Sequence, residues 1–400
     1  MAATFSSIAD ALKTQFLGPL SDQINSKTIF YDRMKRKKVT QGDSVKLSSS
    51  YSRNFSVGAR ATSGATLPTA SQQSLKAPIF YPKVVYGRLK IEVPAIDAAR
   101  NNAGAFANML EFEMNALKRD FQHSLNRQLL HRGDAILTNC ATTTASTTVN
   151  VDTTAFLEVG AAIDVITKAD GTDIAASRTV SSITSDTAFV ISGASITASA
   201  GDSIYVEDSR NLEIFGIDYA IATDDDAGQQ ADYGAIDRDS FAHWKAQALT
   251  ASANRPLDTN LLQQALDEVG TKGGAVGDGI SVWVCSPAIA RAYGDNCFRD
   301  FRFQRVDGAE KQKLGYGYSG LHFGGIPFLT DKHVKKNLVY GVDESVFTQY
   351  IWKDINWMDL DGAVLSRVAN EAAYEATLYT IRELAAAACN VNIRISQIEE

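Results

Sequence analysis

Cysteine is scarce in this chain of 400 residues, which contains only Cys140, Cys285, Cys297 and Cys389. No two of them have CxxC spacing, and a chain of this size is not built on a disulfide scaffold, so the pattern fits a protein made in a reducing cytoplasm. No window approaches the run of about 18 apolar residues that a transmembrane helix needs. The N-terminal segment also lacks the apolar run of a signal peptide, and the sequence therefore predicts neither membrane insertion nor secretion.

Recognisable catalytic and metal-binding patterns are also missing. The five histidines are scattered, none lies at ligand spacing from another histidine or a cysteine, and no GxSxG motif occurs. Residues Gly315–Gly320 match GxGxxG, but they lack the preceding strand and following helix that a dinucleotide site needs. The acidic run Asp224–Gly228 lacks the spaced ligands of a calcium loop. We therefore expect no catalytic residue, no metal site and no cofactor, and we interpret the protein as a non-enzyme.

Charge is distributed unevenly along the chain. Residues 27–90 contain thirteen lysines or arginines and only two acids, Asp32 and Asp43, whereas residues 135–235 contain fifteen acids and three bases. The net charge of the whole chain is −7, so the part outside residues 27–90 carries about −18. This asymmetry indicates a partner of opposite sign, either nucleic acid or an acidic surface on a neighbouring copy, and a merely solvated basic segment is the simpler alternative.

The clearest secondary-structure signal is a long amphipathic helix, predicted over Asn101–His131 and ended by Gly133. From Gly104 it would span roughly 40 Å, which is long for a globular helix and suits a spine. Its predicted core face consists of Phe106, Leu110, Leu117, Phe121, Leu125 and Leu129.

The basic segment precedes this helix and is too polar to form a core of its own. Over residues 43–93 a β-prone run leads outward from Val45 to Val57, and a second run returns from Val84 to Val93, with a tip rich in Gly, Ser, Thr and Ala between them. A lone long hairpin is marginally stable in water, so we expect it to lie on another copy. The basic arm before it contains Arg33, Lys35, Arg36, Lys37 and Lys38.

The remaining chain divides by composition. Residues 135–209 are rich in Thr, Ser and Ala in short alternating runs, which predict a small inserted all-β module, a barrel or a sandwich, facing solvent. After Asn211 the pattern becomes mixed α/β, with a helix predicted from Pro256 to Val269. In the tail, Ala385–Ala388 favours a helix, whereas the alternation after Val391 favours a strand, so both alternatives stay open.

The order of these parts, together with several short stretches, points to one family. A short helix predicted over Ser7–Asn25 is followed by the basic arm, the β-excursion, the spine helix, a mixed region and a β-rich end. The stretches are Ser56–Arg60 through Leu67-Pro68, Val85–Ile91 followed by Ala95–Ala99, Tyr233–Arg238 with Trp244, Phe323–Phe328, and Leu338–Asp343. Together they resemble the major capsid proteins of tailed bacteriophages, whose fold is shared with encapsulin shells. The resemblance covers nearly the whole chain except residues 135–209.

The resemblance implies an α+β fold of the tailed-phage major capsid protein type, with an inserted small all-β domain. The implied parts are an N-terminal arm (1–42), an extended β-hairpin loop (43–93), a peripheral domain with the spine helix (94–134), the inserted module (135–209), an axial α/β domain (210–335) and a β-rich C-terminal part (336–400). By the same resemblance, the loop would contact a neighbouring subunit, and its apolar side chains would lose water only on assembly. The loop residues concerned are Val57, Arg60, Leu67, Ile79, Phe80 and Tyr81.

The implied function is that of a shell subunit, which assembles as hexamers and pentamers into an icosahedral head around double-stranded DNA. The DNA would be held without sequence specificity, and the basic arm would face it or a neighbouring subunit. Implied partners are further copies of the chain, portal and scaffolding proteins, and a decoration protein, with no membrane. The expected location is the virion, after assembly in the cytoplasm of the host bacterium.

Three alternatives stay open at this point. The first is an encapsulin-type nanocompartment shell, which has the same fold and a protein cargo. The second is a β-rich adhesin or carbohydrate-binding protein that works through residues 135–209, although it would need a secretion route that the sequence does not predict. The third is a hydrolase whose catalytic residues form no recognisable pattern.

Overall fold

A computed structural model of the chain describes residues 28–52, 54–60, 62, 66–93, 103–168, 171–222, 232–273, 279–300, 321–359 and 364–400, without the side chains of residues 103–112 and 297–300. Four features singled out in the sequence lie outside these residues. They are the short helix predicted over Ser7–Asn25, the stretch Ala95–Ala99, the acidic run Asp224–Gly228 and the glycine motif Gly315–Gly320.

The described residues form a mixed α+β structure, which confirms the predicted fold class. The helices are α1 (Ile29–Arg33), α2 (Ala103–Leu130), α3 (Ile217–Ala220), α4 (Thr259–Lys272) and α5 (Pro287–Asp300), with a 3-10 turn at Ala242–Trp244. The strands up to the inserted segment are β1 (Lys35–Lys38), β2 (Val45–Lys46), β3 (Ser49–Ser52), β4 (Ser74–Lys76), β5 (Ile79–Phe80) and β6 (Lys83–Glu92).

The strands that follow belong to the inserted segment and to the C-terminal half. Those of the inserted segment are β7 (Ile136–Asn139), β8 (Thr143–Ser146), β9 (Thr148–Asn150), β10 (Ala162–Ile166), β11 (Asp173–Ser185), β12 (Ala188–Ile191), β13 (Ile196–Ala198) and β14 (Ser203–Val206). Those of the C-terminal half are β15 (Asp232–Tyr233), β16 (Ile236–Asp237), β17 (Gln247–Leu249), β18 (Val282–Cys285), β19 (His322–Phe323), β20 (Ile326–Thr330), β21 (Leu338–Val342), β22 (Phe347–Trp357), β23 (Ser366–Arg367), β24 (Ala373–Ala386) and β25 (Ile393–Ser396).

The predicted long helix is observed as α2, which has 28 residues, and its described apolar side chains from Leu117 to Leu130 pack in the main core. Leu125 and Leu129 on this helix are fully buried, and Phe30 of the short helix α1 is buried in the same core. The backbone N–H of Tyr31 donates to the side chain of Asn126 on α2 at 2.9 Å. The basic segment, which the sequence predicts to be too polar for a core of its own, thus contributes apolar residues of α1 to the core that packs on the spine.

The loop strands pair differently from the predicted excursion. β2 pairs with β5 and β3 with β4, which makes a hairpin between residues 45 and 80. The run from Val84, expected to return along this hairpin, instead forms β6 and pairs with β24 over ten positions. Its alternate residues turn inward, and at Gly87 the side chain of Phe121 on α2 lies 3.1 Å from where a Cβ would be. Packing on the spine helix thus places β6 in the main sheet.

The main sheet has five strands, ordered β1-β22-β24-β23, with β6 on the other edge of β24. Its central strand β24 runs without interruption through Ala385, so the helix favoured by Ala385–Ala388 is wrong. Pairing of Phe347 with Ala386 and of Thr348 with Ala385 outweighs the helical preference of alanine. Small side chains suit this position because both residues are buried.

A second sheet has the order β17-β25-β21-β18-β20-β19 and packs on helices α4 and α5. Helix α4 begins at Thr259, three residues after the predicted start at Pro256, because the side chain of Asp258 caps it by accepting a hydrogen bond from the backbone N–H of Leu261 at 2.7 Å. Trp283 on β18 is fully buried between this sheet and its helices.

The segment 135–209 consists of strands and turns within the described residues, with a six-stranded sheet β7-β14-β10-β11-β12-β9 and the pair β13-β8. It has a hydrophobic core separate from the others, built around Val149, Ile163, Val165, Val180, Phe189 and Ile204. The chain enters and leaves it side by side, since Val206 N–H donates to Ala135 O and Asn211 N–H to Asp134 O, each at 3.1 Å.

None of the described helices combines the length and apolar character needed to cross a membrane.

Candidate assembly surfaces

The base of the extended loop is anchored in the subunit. The ring of Phe80 packs edge-on against that of Tyr233, with centroids 5.1 Å apart, and the N–H of Ile79 donates to the carbonyl of Gly234 at 2.8 Å. Phe80 is 2% exposed, so the expectation that it loses water only on assembly is wrong. Ile79 is half-buried, and Tyr81 is 61% exposed and faces solvent.

Gly234 makes this anchoring possible. It has φ +61°, and a Cβ at this position would lie 2.8 Å from Cβ of Pro78 and 3.0 Å from the Phe80 ring. Only a residue without a side chain combines that backbone conformation with so close an approach. The Tyr233-Gly234 pair singled out in the sequence therefore positions the loop base.

Aromatic contacts hold the next part of the hairpin. Tyr51 on β3 stacks on His243 at 4.9 Å and meets the edge of Phe241 at 5.4 Å. From β4, the ammonium of Lys76 lies 4.5 Å from the centroid of Phe241. Both strands of the hairpin are thus fixed to the segment that leads into the second sheet.

Beyond these contacts, the distal loop, which comprises residues 53–73, exposes its large apolar side chains. Phe55 is 79%, Val57 88% and Leu67 82% exposed. The backbone nevertheless has local hydrogen bonds: Phe55 N–H donates to the hydroxyl of Ser71 at 2.8 Å, and the Arg60 guanidinium donates to the carbonyl of Thr66 at 3.0 Å. The distal loop therefore exposes apolar side chains to water, while hydrogen bonds within the loop hold its backbone.

The basic arm divides into paired and solvent-facing residues. The guanidinium of Arg33 donates twice to the carboxylate of Glu344, at 2.6 and 2.7 Å, and this bond raises the pKa of Arg33. Arg36 lies over the ring of Tyr31, 4.3 Å from its centroid. The exposed strand β1 then pairs in parallel with β22 and carries Lys35, Lys37 and Lys38 on the surface. These three lysines are the part of the arm with the most solvent-facing charge.

The predicted core face of the spine helix is buried where its side chains are described. Phe121, Leu125 and Leu129 are at most 5% exposed, and Leu117 is half-buried against β6. The side chains of Phe106 and Leu110 lie outside the described residues.

A buried ion network joins the spine to the second sheet. The carboxylate of Asp218 accepts from the guanidinium of Arg132 at 2.8 Å and from the hydroxyl of Tyr340 at 2.8 Å, and it lies 3.0 Å from the ammonium of Lys335. Burial alone would raise the pKa of Asp218, but the charges of Lys335 and Arg132 hold it well below its usual range. Sequence reasoning missed this network, although an acid within the apolar run 214–222 was a signal for it.

A second buried acid lies under the start of β6. Glu383 accepts hydrogen bonds from the backbone N–H groups of Phe215 and Leu384, both at 2.9 Å. Burial raises the pKa of Glu383 to about 8, although the nearby Lys83 opposes this shift. The ammonium of Lys83 donates to the carbonyl of Glu213 and lies 3.8 Å from the Phe215 ring centroid. Lys83 thus ties β6 to the segment that leaves the inserted module.

The described residues offer little for metal or thiol chemistry. Over that part of the chain, no group of three or more His, Cys, Asp or Glu side chains could hold a metal ion. Cys140, Cys285 and Cys389 are free and buried, and burial raises the pKa of each thiol to about 12. The features that stand out are therefore surfaces, namely an anchored loop with an apolar end and a basic edge strand.

Sequence comparison does not identify a family. No protein-family model matches the chain, and no curated protein is significantly similar to it in sequence.

Comparison with solved structures does identify the fold. The capsid protein in the asymmetric unit of cyanophage A-1(L) is similar over 100% of both chains, with a TM-score of 0.66 and 13% identity. The capsid of a native GTA particle is similar over 100% of this chain and 99% of that one, with a TM-score of 0.53 and 8% identity. An encapsulin from Synechococcus elongatus PCC 7942 has a TM-score of 0.49 at 7% identity, which is too low to carry weight. The chain therefore has the fold of tailed-phage major capsid proteins.

Proposed function

We propose that this chain is the major capsid protein of a tailed bacteriophage. In this role it is a structural, non-enzymatic subunit that assembles as hexamers and pentamers into an icosahedral head around double-stranded DNA. The observation that carries the proposal is the distal loop, where Phe55, Val57 and Leu67 are exposed to water on a hairpin whose base is fixed in the core. A monomer gains nothing from such a surface, whereas a neighbouring copy would cover it.

Burial of these side chains would contribute a sizeable part of the free energy of assembly. Fully burying a Val, Leu or Phe side chain is worth about 1.5 to 3 kcal/mol, so three of them supply roughly 5 to 9 kcal/mol per copy. Part of this offsets the loss of translational and rotational freedom on association. In a shell, each subunit would cover the loop of one neighbour and have its own loop covered by another. The free energy gained by burying the loop side chains would therefore recur at every contact between subunits.

The charge pattern supports a contact with DNA or with an acidic neighbouring subunit. Lys35, Lys37 and Lys38 on the edge strand β1 would contact DNA phosphates or an acidic neighbour without reading sequence, and such contacts weaken with salt. In this proposal, the chain also contacts portal, scaffolding and decoration proteins, and no membrane. It resides in the virion after assembly in the bacterial cytoplasm.

Electron microscopy of the purified protein at low and high salt tests the proposal. We expect closed polyhedral shells, rings of five or six subunits, or open sheets. A variant in which a two-residue Asn-Gly turn replaces residues 53–73 should remain folded, because Ser52 and Ser74 at the ends of the deletion are paired neighbours. It should no longer close shells, whereas the control Ile183→Ala, an exposed apolar residue of the inserted segment, should assemble normally.

Normal shells from the loop deletion would contradict the role of the loop. Discrete monomers or small dimers of the wild type, at every salt concentration and also with co-expressed scaffolding protein, would contradict the capsid function. Nucleic acid content of particles isolated from infected cells separates the remaining alternative, since an encapsulin would hold a protein cargo and no packaged genome.

A further inference from the structure

Three histidines form a continuous row where the spine helix meets the turn after β20. His131, directly after α2, donates from Nε2 to the carbonyl of His333 at 2.9 Å, and His333 Nε2 lies 3.0 Å from Nε2 of His123 on α2. His131 is 1% and His333 6% exposed, whereas His123 is half-buried. These three residues, called the histidine cluster below, therefore connect α2 to the turn through their imidazole rings.

Phe156 brings the inserted segment into contact with the histidine cluster. Its ring meets that of His131 edge-on, with centroids 4.9 Å apart, and lies nearly parallel to that of His333 at 6.4 Å. Beside this contact, residues of α2 and of the inserted segment line opposite sides of an open groove with a volume of about 620 Å³. The aromatic contact thus holds the inserted segment on the spine helix next to a space that water can fill.

The cluster has no suitable place for an additional proton. A carbonyl oxygen only accepts, so His131 carries its proton on Nε2, and its Nδ1 has no hydrogen-bond partner among the described residues. The Nδ1 of His333 also has none there. Between His333 and His123 one Nε2 donates and the other accepts, so a proton on the acceptor would set two N–H groups against each other. Protonation would therefore bury an unpaired N–H or break the contact.

The charged groups around the cluster do not offer the buried rings a free carboxylate. Those that act on the histidines are Asp120 and Arg127 on α2, Glu158 in the inserted segment, Asp218 on α3, and Asp331, Lys332 and Lys335 in the turn after β20. Asp331 already accepts from the backbone N–H of His333 at 3.0 Å and from Asn126 at 2.8 Å, and Asp218 is bound by Arg132 and Lys335. Asp120 and Glu158 act on the half-buried His123.

The electrostatic surroundings agree with this hydrogen-bond pattern. Burial, reinforced by the charge of Arg127, lowers the pKa of His131 to about 3. Burial and the neighbouring His123 lower the pKa of His333 to about 2. Both imidazoles are therefore neutral near pH 7, and they gain much affinity for a proton when water reaches them.

We propose that the histidine cluster is an acid-sensitive switch that releases the inserted segment from the spine helix. Neutral rings keep the contact with Phe156 closed, and protonation of His131 and His333 opens it because the cations need water around them. The inserted segment then turns about the junction where Val206 bonds to Ala135 and retains its own core. The switch belongs to the single subunit and goes beyond the proposed shell function.

The direction and steepness of the pH dependence follow from the two buried rings. Their pKa values in the closed state lie below the ordinary value of about 6.5, so they favour the closed state above that pH and favour opening below it. Each ring takes up about one proton on opening between about pH 6 and 4. The ratio of open to closed subunits should therefore rise by up to about a hundredfold per pH unit, and by about tenfold if a single ring titrates.

Distance measurement by electron spin resonance on the full-length chain tests the switch. Spin labels are attached to Val159→Cys in the inserted segment and Asn115→Cys on α2, both at exposed positions. A Cys297→Ser background leaves only native cysteines that are buried. Labelled chains are diluted into unlabelled ones, so the distance within one subunit is measured in free subunits and in shells alike. We expect one distance at neutral pH and a second, longer one that dominates near pH 4.5, with unchanged circular dichroism.

Glutamine variants separate the switch from a general effect of acid. His131→Gln with His333→Gln keeps side-chain N–H groups but takes up no proton, so the short distance should persist to about pH 4.5. His131→Gln alone should reduce the slope to about tenfold per pH unit. The matched control His322→Gln, an exposed residue of β19, should open like the wild type. Equal opening of the double variant, an unchanged wild-type distance near pH 4.5, or loss of circular dichroism together with opening would overturn the switch.

Discussion

Truncation of two phenylalanines in the same loop should have different effects: one should lower the stability of the subunit, and the other should lower its assembly into shells. Phe80 is 2% exposed and packs on Tyr233, so Phe80→Ala removes a buried ring from the main core. Such a change costs about 3 to 5 kcal/mol of the free energy of unfolding. Phe55 is 79% exposed, and Phe55→Ala should change the stability of the isolated subunit by no more than about 0.5 kcal/mol.

Urea unfolding of unassembled subunits, followed by tryptophan fluorescence, measures the first effect. Trp244 is a suitable reporter because its indole N–H donates to the carbonyl of Tyr233 at 2.9 Å, next to the ring that Phe80 contacts. Shell yield measures the second effect, and it should fall for Phe55→Ala at unchanged subunit stability. Equal destabilisation by both substitutions, or full shell yield from Phe55→Ala, would refute the division of the loop into an anchored base and an assembly surface.

Three further predictions concern buried acids and the inserted segment. Asp218→Asn leaves Arg132 buried without its counter-charge and should cost about 3 to 5 kcal/mol at pH 7. Because the folded pKa of Asp218 lies below its unfolded value near 4, the difference from wild type in urea unfolding should shrink as the pH falls below about 4. For Glu383, the folded pKa of about 8 exceeds the unfolded value, so the contribution of this carboxyl group to stability should fall as the pH rises from about 4 to 8. The difference in unfolding free energy between the wild type and Glu383→Gln should therefore fall over this pH range, and a constant difference would contradict the assignment. Replacing residues 138–207 by a short linker should leave the rest folded, with unchanged circular dichroism of the remaining elements, and an insoluble product would argue against an independent segment.

Periodicity along the sequence was enough to predict the elements that are regular over many residues. The spine helix has apolar residues at helical spacing through Leu129, and β6 alternates through ten residues, so each pattern repeats often enough to identify its structure. The sequence could not give the partner of β6, because pairing Tyr86 with Tyr379 depends on residues almost three hundred positions apart.

For the assembly surfaces, the sequence predicted which residues are apolar but not which of them are buried in the subunit. Sequence shows that Phe55, Val57 and Phe80 are apolar residues in one loop, but only the fold shows that Phe80 meets Tyr233 while the other two meet water. Likewise, Ala385 and Ala386 favour a helix locally, and pairing with β22 decides otherwise. Burial is a property of the whole chain, and a local pattern cannot report it.

The two hydrogen bonds that join Ala135 to Val206 and Asp134 to Asn211 have a consequence for the order of folding. Closing a flexible loop of about 70 residues costs on the order of 4 kcal/mol of chain entropy. If the inserted segment folds first around its own core, its ends are already neighbours, and the spine helix meets the strands after Asn211 as if only a few residues separated them. Folding of the inserted segment therefore reduces the chain entropy that is lost when the spine helix contacts the strands after Asn211.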